Sequence, residues 1–385
     1  MAKLGEVCDI LNGYAFKSNQ YTTSGVRIIR ISNVQKGYIE DKSPVYYPCD
    51  DENVKKYELK QNDLLISLTG NVGRTALLEE KFLPAALNQR VSCVRLKEPD
   101  KVLKTYLFHL LNSDYFEQQC MKAAEGVAQK NLSPKWLFEY KIPIYSIERQ
   151  KEISNTLDKI DLLIILRKQQ LAKLDELVKA RFVEMFGTFP ANPFRWSIGK
   201  IQDVVSDVRY GSSRPAVEGG KYPYLRMNNI TYSGELDLRD TKRIDIPDSE
   251  LDKCTVRRGD VLFNRTNSKE LVGKTCVYNR DELMVLAGFV IRVRINERIR
   301  PEVLSAFLNM DFSKRMLIGM CKTAIGQANI NAKELQNIDL YIPPIELQDQ
   351  FVTLKNKVDQ QKQMVQQSLE KLELMKKALM QEYFG

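Results

Sequence analysis

The sequence predicts an α+β protein that is a tandem duplication: two α/β domains joined by two long antiparallel helices that form a coiled coil with approximate twofold symmetry. Three observations support this prediction. AKLDELVKARFVEMFG at 172–187 reappears as EKLELMKKALMQEYFG at 370–385, with identical residues at seven positions, all 198 residues apart. Other matched segments follow in the same order in both halves. Two stretches of 40 residues contain neither glycine nor proline.

The matched segments extend the duplication over nearly the whole chain. They pair KLGEVCDI (3–10) with KIQDVVSD (200–207), LKQNDLLIS (59–67) with VRRGDVLFN (256–264), VGRTALL (72–78) with VGKTCVY (272–278), and YLFHLLNSDYF (106–116) with VLSAFLNMDFS (303–313). Their spacing varies by only a few residues, as insertions in surface loops would produce. The two halves therefore share one plan.

Each copy begins with about 145 residues of short alternating runs such as GVRIIRIS, DLLISL and FVIRVRI. Turns rich in Gly, Asn and Pro bound these runs, a pattern typical of strands. One amphipathic helix is predicted within each copy, at about 102–121 and about 302–318. Strands with an inserted helix predict a compact α+β domain in each half.

The stretches 147–186 and 345–384 are predicted to be helices, because proline or serine stands just before each and neither contains a helix breaker. At 1.5 Å per residue each would span about 60 Å. Apolar residues recur at 3-4 spacing along both. The predicted seam is Phe351, Leu354, Val358, Val365, Leu372, Met375 and Leu379 in the second helix and Ile153, Ile160, Leu163, Leu174 and Leu177 in the first, widened by Leu157, Ile164, Leu171 and Val178. Pairing as a coiled coil would bury both stripes, and a lone long helix is the alternative.

Composition restricts the class of protein. Hydrophobic residues make up 43% of the 385 and charged residues 28%, with a formal net charge of +9. No run of 18 apolar residues predicts a membrane span, and no secretion signal is recognised. The seven cysteines are scattered without a Cys-x-x-Cys pair, which indicates reduced thiols in the cytoplasm. The positive charge is compatible with a polyanionic partner.

The motifs that could indicate an enzyme do not match the residue patterns that those enzymes require. SKELVGKT (268–275) ends like a phosphate-binding loop, but Ser268 stands where that loop needs glycine. NPFR (192–195) lacks the second proline of the Asn-Pro-Pro-Phe loop of amino-methyltransferases. The single histidine, His109, lies on an apolar helix and is interpreted as a packed structural residue. We predict neither a catalytic nor a metal site in this chain.

Two similar domains on a rod with twofold symmetry suit a long ligand with the same symmetry, and duplex DNA presents half-sites about 34 Å apart on one side. Arginine and lysine bind phosphates, arginine also binds guanine, and asparagine and glutamine bind adenine. Such groups lie at predicted strand ends and loops. The candidates are Tyr14, Lys17, Ser18, Arg30, Ser32, Asn33, Arg74, Asn88, Gln89, Arg90, Tyr210, Ser212, Ser213, Arg214, Arg226, Asn228, Asn229, Asn264, Arg265, Thr266, Asn267, Lys269 and Lys274.

Comparison of the copies ranks these candidates. Positions that match, such as those in RISN (30–33) and RMNN (226–229), favour a role in the fold or on phosphates. Positions that differ favour base reading, because two different half-sites need different readers. GVAQKN (126–131) and IGQANI (325–330) match, so we interpret them as structural turns. A solvated loop role is the alternative for every candidate.

The sequence resembles the specificity (S) subunits of type I restriction-modification systems over essentially its whole length. LGEVCDILNGYAFKSNQY (4–21) resembles the start of a target-recognition domain in that family, and FGTFPANPFRWSIGKIQDVV (186–205) resembles the junction to the second one. IPIYSIERQKEI (142–153) and IPPIELQDQF (342–351) resemble the entries to the two conserved helices, although the first lacks the Pro-Pro of the second. The resemblance implies recognition domains at 1–146 and 188–344 and helical spacers at 147–187 and 345–385.

The resemblance also implies a function and partners. In the family, each domain reads one half of a split, asymmetric target in double-stranded DNA, and the helices set the spacer. The helices also bind two methyltransferase (M) subunits, to which restriction (R) subunits attach. The chain would be non-catalytic and cytoplasmic, with no membrane partner and no cofactor of its own. S-adenosylmethionine, ATP and Mg²⁺ are expected on the partner subunits.

Two other interpretations remain open at this point. The chain could be the recognition subunit of a type IIB-like system, in which one gene fuses methyltransferase and nuclease, and the neighbouring genes would distinguish this case. It could instead be a coiled-coil interaction protein whose end domains bind protein. That protein would show no preference for any DNA sequence.

Overall fold

The computed structural model describes residues 1–124, 131–324 and 327–385. The chain divides into two compact units. Unit 1 consists of Met1–Arg167 and Gln367–Gly385, and unit 2 of Lys168–Gln366. Each of the two long helices therefore contributes one segment to each unit. The predicted turn GVAQKN (126–131) lies outside the described residues except for Asn131. Of the predicted turn IGQANI (325–330), residues 325 and 326 lie outside them, and Gln327–Asn329 form a strand.

Unit 1 contains the first copy of the repeated domain. Its described strands are β1 (Ala2–Lys3), β2 (Cys8–Asn12), β3 (Val26–Ile29), β4 (Tyr46–Tyr47), β5 (Glu58–Leu59), β6 (Leu64–Ser67), β7 (Thr75–Leu77), β8 (Ala85–Leu87), β9 (Val91–Leu96) and β10 (Lys141–Ile142). Its described helices are α1 (Leu4–Val7), α2 (Glu52–Lys56), α3 (Lys104–Leu111), α4 (Asp114–Ala123), α5 (Pro134–Glu139) and the first part of α6 (Ile147–Phe186).

Two four-stranded sheets form the body of unit 1. One has the order β2-β9-β6-β7 and is antiparallel throughout, and the other has the order β4-β3-β8-β5 with a parallel β3/β8 pair. Successive side chains of a strand point to opposite faces. Leu65 accordingly packs against the second sheet, while Leu64 and Ile66 pack on the opposite face against the helices. The short strands β1 and β10 pair, which joins the beginning of the domain to the entrance of α6.

Unit 2 contains the second copy. Its described strands are β11 (Ser197–Lys200), β12 (Val205–Tyr210), β13 (Tyr222–Leu225), β14 (Lys242–Ile244), β15 (Thr255–Val256), β16 (Val261–Asn264), β17 (Thr266–Asn267), β18 (Thr275–Val277), β19 (Met284–Leu286), β20 (Val290–Ile295), β21 (Lys322–Ala324), β22 (Gln327–Asn329) and β23 (Asp339–Ile342). Its described helices are α7 (Asp248–Cys254), α8 (Pro301–Asn309), α9 (Asp311–Met320), α10 (Ala332–Gln336), part of α6 and part of α11 (Ile345–Phe384).

The sheets of unit 2 repeat those of unit 1. Their orders are β12-β20-β16-β18 and β14-β13-β19-β15, again with one parallel pair, β13/β19. The pair β11/β23 takes the place of β1/β10. A small sheet, β17-β22-β21, is present in addition. The duplication and the α+β class predicted from the sequence are therefore confirmed.

The two long helices run antiparallel within each unit. In unit 1, Asp161 of α6 forms a salt bridge with Lys376 of α11, and Arg167 Nε lies 3.2 Å from Ser368 Oγ. In unit 2, Asp175 of α6 forms a salt bridge with Lys362 of α11. The residue numbers of the paired positions therefore increase along α6 while they decrease along α11. The predicted 40-residue helices and their antiparallel pairing are confirmed.

Part of the predicted seam is wrong. Leu163 and Leu177 on α6 and Met375 on α11 are 42%, 41% and 53% exposed. The buried face of α6 instead includes Leu157 and Ile164, which lie at the margin of the predicted seam. The reason is that each helix packs on its domain as well as on its partner. Leu157 belongs to the core of unit 1 together with residues of α3 and α4.

The single amphipathic helix predicted in each domain is in fact two helices. In unit 1 the break falls between α3 and α4, where Ser113 Oγ accepts a hydrogen bond of 3.1 Å from Phe116 N and so caps α4. In unit 2 it falls at Met310, between α8 and α9. Serine at the first break is a strong helix N-cap, a local signal that the apolar periodicity concealed.

The repeated Val-Gly-Arg/Lys-Thr segments are turns that lead into the strands Thr75–Leu77 and Thr275–Val277. Gly73 and Gly273 have φ angles of 82° and 79°. A Cβ at Gly73 would lie 2.8 Å from Cys120 Cβ, and one at Gly273 would lie 2.6 Å from Leu317 Cδ1. Glycine is required here because the turn is left-handed and presses against a helix.

We predict that Leu157→Ala lowers the free energy of unfolding by about 2–5 kcal/mol, because a fully buried leucine is truncated in a packed core. Leu163→Ala, two turns of the same helix away, serves as the matched control and should change it by less than about 0.5 kcal/mol. Urea denaturation of both variants measures the difference. Equal losses in the two variants would contradict the buried face described here.

Candidate DNA interface

The two units share a turn with the same hydrogen bonds and different side chains. We call residues 88–90, between β8 and β9, and residues 287–289, between β19 and β20, the rim turns. Asn12 at the end of β2 pairs with Ser92, and Tyr210 at the end of β12 pairs with Ile291. Asn12 and Tyr210 therefore occupy equivalent places beside the rim turns.

Backbone hydrogen bonds hold the first rim turn. Tyr14 N donates to Leu87 O at 2.9 Å, Gln89 N donates to Tyr14 O at 2.9 Å, and Leu68 N donates to Arg90 O at 3.0 Å. Every partner in these bonds is a main-chain atom. These three bonds therefore do not involve the side chains of Gln89 and Arg90, while the side chain of Asn88 adds a 3.3 Å bond in which its Oδ1 accepts from Arg90 N.

The second rim turn repeats each bond. Ser212 N donates to Leu286 O at 2.7 Å, Gly288 N donates to Ser212 O at 2.7 Å, and Arg265 N donates to Phe289 O at 3.0 Å. Ser212, Arg265 and Phe289 are thus the equivalents of Tyr14, Leu68 and Arg90. These three main-chain bonds, which we call the frame of the rim turn, are present in both units, while the side chains on the turn differ.

A glycine next to each frame permits this close packing. A Cβ at Gly13 would lie 2.2 Å from Asn88 O, and a Cβ at Gly211 would lie 2.1 Å from Leu286 O. Backbone carbonyls cannot move away as a flexible side chain could. Both glycines are therefore required by the approach of the chain to the rim turn.

The side chains at the rim differ in chemistry between the units. In unit 1, Gln89 and Arg90 are exposed. In unit 2, Phe289 is 53% exposed and Tyr210 43% exposed. The guanidinium carbon of Arg265 lies 4.8 Å from the centre of the Tyr210 ring, a cation–π contact. The hydroxyl of Tyr210 accepts a hydrogen bond of 2.8 Å from Ala332 N, which holds the ring in place.

The matched motifs RISN and RMNN have structural bonds in both units. Asn33 Oδ1 accepts from Arg30 N at 2.8 Å and its Nδ2 donates to Glu40 O at 3.0 Å. Asn229 makes the equivalent bonds with Arg226 N and Asp237 O, both at 2.8 Å. Both amides are buried. They hold a loop and cannot reach a base without breaking these bonds.

The two arginines of these motifs also bind the same loops. Arg30 donates to Ser43 O at 2.7 Å, and Arg226 donates to an Asp240 carboxylate oxygen at 3.0 Å. Ser32 and Asn228, by contrast, are exposed. DNA contact by this pair of motifs would therefore come from Ser32 and Asn228 more readily than from their neighbours.

All the candidates can be sorted by the exposure of their side chains. Exposed are Lys17, Ser18, Ser32, Gln89, Arg90, Tyr210, Ser213, Arg214, Asn228 and Lys269. Half-buried are Tyr14, Arg30, Arg74, Asn88, Arg226, Arg265 and Asn267. Buried are Asn33, Ser212, Asn229, Asn264, Thr266 and Lys274. Contact of any of them with DNA stays a prediction.

Several candidates have internal partners. Arg74 donates to Gln35 Oε1 at 2.6 Å, and Lys274 Nζ donates to Met227 O at 2.8 Å. Arg214 binds Glu250 at 2.7 Å. Asn264 Nδ2 donates to Thr266 O at 3.0 Å. The residues that the structure brings together at one place in both units are those of the rim turns and their flanks.

Phe289 is not among the candidates predicted from the sequence. It is apolar and therefore outside a search for hydrogen-bonding side chains. The alignment of NQRV (88–91) with AGFV (287–290) contains the signal, because it places Phe289 opposite Arg90. An exposed aromatic residue at a position that differs between the copies meets the criterion for base reading.

The single histidine, His109, has a structural hydrogen-bond partner. Burial lowers the pKa of His109, against the opposing effect of a 2.8 Å hydrogen bond between its Nε2 and Asp158.

Within residues 1–124, 131–324 and 327–385, no three His, Cys, Asp or Glu side chains gather as metal ligands would. No helix in the described part of the chain is long and apolar enough to cross a membrane.

Lys314 on α9 is a buried lysine whose Nζ donates to Gly273 O at 2.6 Å. Burial, together with the nearby Lys179 and Lys274, lowers the pKa of Lys314 to about 7. Its ammonium form is therefore unfavourable in the folded state, because burial removes the charge from water and the nearby Lys179 and Lys274 repel it.

Comparison with known proteins agrees with this architecture. The family model "Type I restriction modification DNA specificity domain" matches twice, at residues 1–176 and 195–374. The two matches fall on the two copies described above and together span most of the chain. The protein belongs to the family of type I restriction-modification DNA specificity proteins.

Individual relatives are similar over nearly the full length. The specificity subunit of the type I restriction enzyme EcoKI from Escherichia coli K12 is 22% identical over 378 residues, which covers 91% of this chain and 80% of the relative. A chain from a structural study of assembly of the type I R-M system has a TM-score of 0.60 at 19% identity, with 100% and 96% coverage. The S subunit of a type I system from M. genitalium has a TM-score of 0.56 at 15% identity, with 100% and 95% coverage.

We predict that Lys314→Met stabilises the protein at pH 7 by about 1–3 kcal/mol and that the gain disappears towards pH 10. The folded-state pKa of about 7 lies below the ordinary lysine pKa of 10.5. The unfolded state therefore binds more protons between these values, and wild-type stability rises with pH across that window. Urea denaturation of both proteins from pH 6 to pH 10 measures the difference. Lys253→Met, at an exposed site of the same unit, is the control. A gain that does not depend on pH would show that Lys314 is not the titrating group.

Proposed function

We propose that this chain is the sequence-reading subunit of a type I restriction-modification complex and binds an asymmetric two-part target in double-stranded DNA. The observation that supports this most directly is the duplicated rim frame with different side chains. Two copies of one reader suit two half-sites, and a change of side chains without a change of backbone suits halves of different sequence. Residues 1–146 would read one half and residues 188–344 the other.

Binding would combine two kinds of contact. Exposed basic side chains such as Lys17 and Lys269 would bind phosphates, which gives affinity that falls as salt rises. Side chains at the rim would contact base edges, which gives specificity. The formal net charge of +9 supports binding to a polyanion. The helical segments 147–187 and 345–385 would set the spacer between the half-sites.

The chain would have no catalysis of its own. Two methyltransferase (M) subunits would bind the helices and carry the S-adenosylmethionine chemistry. Restriction (R) subunits would attach through them and use ATP and Mg²⁺. The complex would act on DNA in the cytoplasm.

A surface on α6 suits such docking. We call Leu162, Leu163, Ile165 and Leu166 the α6 patch. Its members are 56%, 42%, 52% and 47% exposed. Leu162, Ile165 and Leu166 lie on the side of the helix opposite the buried Ile160 and Ile164. A contiguous exposed apolar cluster of this kind typically marks a protein interface.

The α6 patch occurs in only one of the two copies of the helix. The equivalent positions of α11, 198 residues further on, are Gln360, Gln361, Gln363 and Met364. The two methyltransferase docking surfaces would therefore differ, one apolar and one largely polar. Loss of the patch should weaken one docking site and leave the other.

The main test is native sequencing of adenine methylation in cells that carry this chain with its neighbouring methyltransferase, compared with cells that lack the chain. We expect a split motif that depends on the chain. Replacement of residues 188–344 by the matching domain of a relative should change one half of that motif and keep the other. A change in both halves would contradict modular reading. No chain-dependent motif, with a methyltransferase shown to be competent, would refute the proposed function.

We further predict that the double variant Leu162→Asp, Leu166→Asp co-purifies with one methyltransferase subunit where the wild type binds two. Burial of two carboxylates in an apolar interface is unfavourable. Native mass spectrometry of the co-expressed complex measures the stoichiometry. Asn155→Asp, two turns earlier on the same face, adds negative charge outside the patch and is the control. An unchanged stoichiometry in the double variant would exclude the patch as a docking site.

A further inference from the structure

The two rim turns present different chemical groups from the same place. The three backbone hydrogen bonds of the first rim turn recur in the second within 0.2 Å. Arg90 and Phe289 occupy the same position in this frame, and both side chains are exposed. A long cationic donor in one copy is therefore replaced by an apolar ring in the other.

The main-chain bonds of the rim turns do not require this difference. Arg90 and Phe289 each contribute their backbone oxygen to the frame, through the bonds from Leu68 N and Arg265 N at 3.0 Å. With 53% of Phe289 exposed, the ring gains little from packing within the protein. Exposure of an aromatic ring to water is unfavourable, and a partner that covered the ring would remove this cost. The neighbouring Tyr210–Arg265 pair extends this exposed surface.

The chemistry of the two side chains corresponds to different base edges. An arginine can donate two hydrogen bonds to O6 and N7 of guanine in the major groove. A phenylalanine can contact the methyl group of thymine, which guanine and cytosine do not carry. The equivalent frame would bring both side chains to corresponding places in their half-sites.

We propose that Arg90 and Phe289 are equivalent specificity-determining residues: Arg90 reads a guanine in one half of the target, and Phe289 reads a thymine through its methyl group in the other half. This inference rests on the proposed function and adds to it the residues and the base class. Gln89 and the Tyr210–Arg265 pair flank the two reading positions.

The test reads the methylated motif of each variant in cells with the neighbouring methyltransferase. Arg90→Ala should remove the requirement for one guanine in one half-site and leave the other half-site unchanged. Phe289→Ala should remove the requirement for one thymine in the other half-site. The loss of discrimination in Arg90→Ala is expected to be roughly 5- to 150-fold, the worth of one bidentate pair.

Exchange of the side chains sharpens the test. Phe289→Arg should convert the thymine requirement to guanine, because the second rim turn would then carry the side chain that reads guanine in the first. Lys81→Ala and Leu283→Ala are the controls. Both residues are exposed and lie before β8 and β19, at the opposite ends of these strands from the rim turns. The motif of both controls should equal that of the wild type.

Purified complexes supply the second measurement. Binding to the wild-type target and to targets with single base-pair changes separates reading from affinity. Folding of each variant is checked by its thermal unfolding midpoint. A uniform loss of affinity for all sequences by a folded variant would indicate a phosphate contact and overturn the inference.

The outcomes separate the inference from the proposed function. A chain-dependent split motif in the wild type that stays the same in Arg90→Ala and Phe289→Ala would overturn the inference and leave the proposed function standing. A wild type without any chain-dependent motif would refute the proposed function itself. A motif altered at one base in one half, by each variant separately, is the result that supports the inference.

Discussion

Burial of the apolar faces of the two long helices is the interaction on which the rest of the structure depends. In unit 1, Phe384 at the end of α11 and Ile153 near the start of α6 lie in one core with Tyr106 of the domain. In unit 2, Phe186 at the end of α6 meets Phe351 near the start of α11, with ring centres 5.4 Å apart. Each segment would expose its stripe if it stood alone. Helix pairing and domain packing are therefore one cooperative core in each unit.

The shared core also determines how firmly each domain is held. Each domain packs on both helix segments through many side chains. The helix segments therefore hold the domain in place as well as connecting it to the rest of the chain. The rim turns in turn are held by main-chain bonds and by the glycines Gly13 and Gly211. Side chains at the rim are thus free to vary without loss of the scaffold. A frame of this kind allows two copies of one ancestor to acquire different specificities.

Much of the fold could be predicted from the sequence, because its signals are local or repeated. The absence of glycine and proline over 40 residues predicts helices, and the matched segments predict a repeated domain. The seam was predicted less well. Leu163 and Leu177 belong to the apolar pattern of α6 but are exposed, since the buried face is decided by contacts with the domain as well as with α11. The break at Ser113 was missed because apolar periodicity continues across it.

For the candidate interface, the sequence by itself determined the repeat, the residue types and the positions that differ between the copies, since all of these are properties of aligned letters. Only the tertiary structure decided which candidates are available. Asn33 and Asn229 are bound to their loops, whereas Arg90 and Phe289 are exposed on equivalent turns. Exposure depends on strands distant in sequence, such as β2 beside β9 and β12 beside β20. Their pairing is set by the global burial of apolar surface, which no short stretch of sequence specifies.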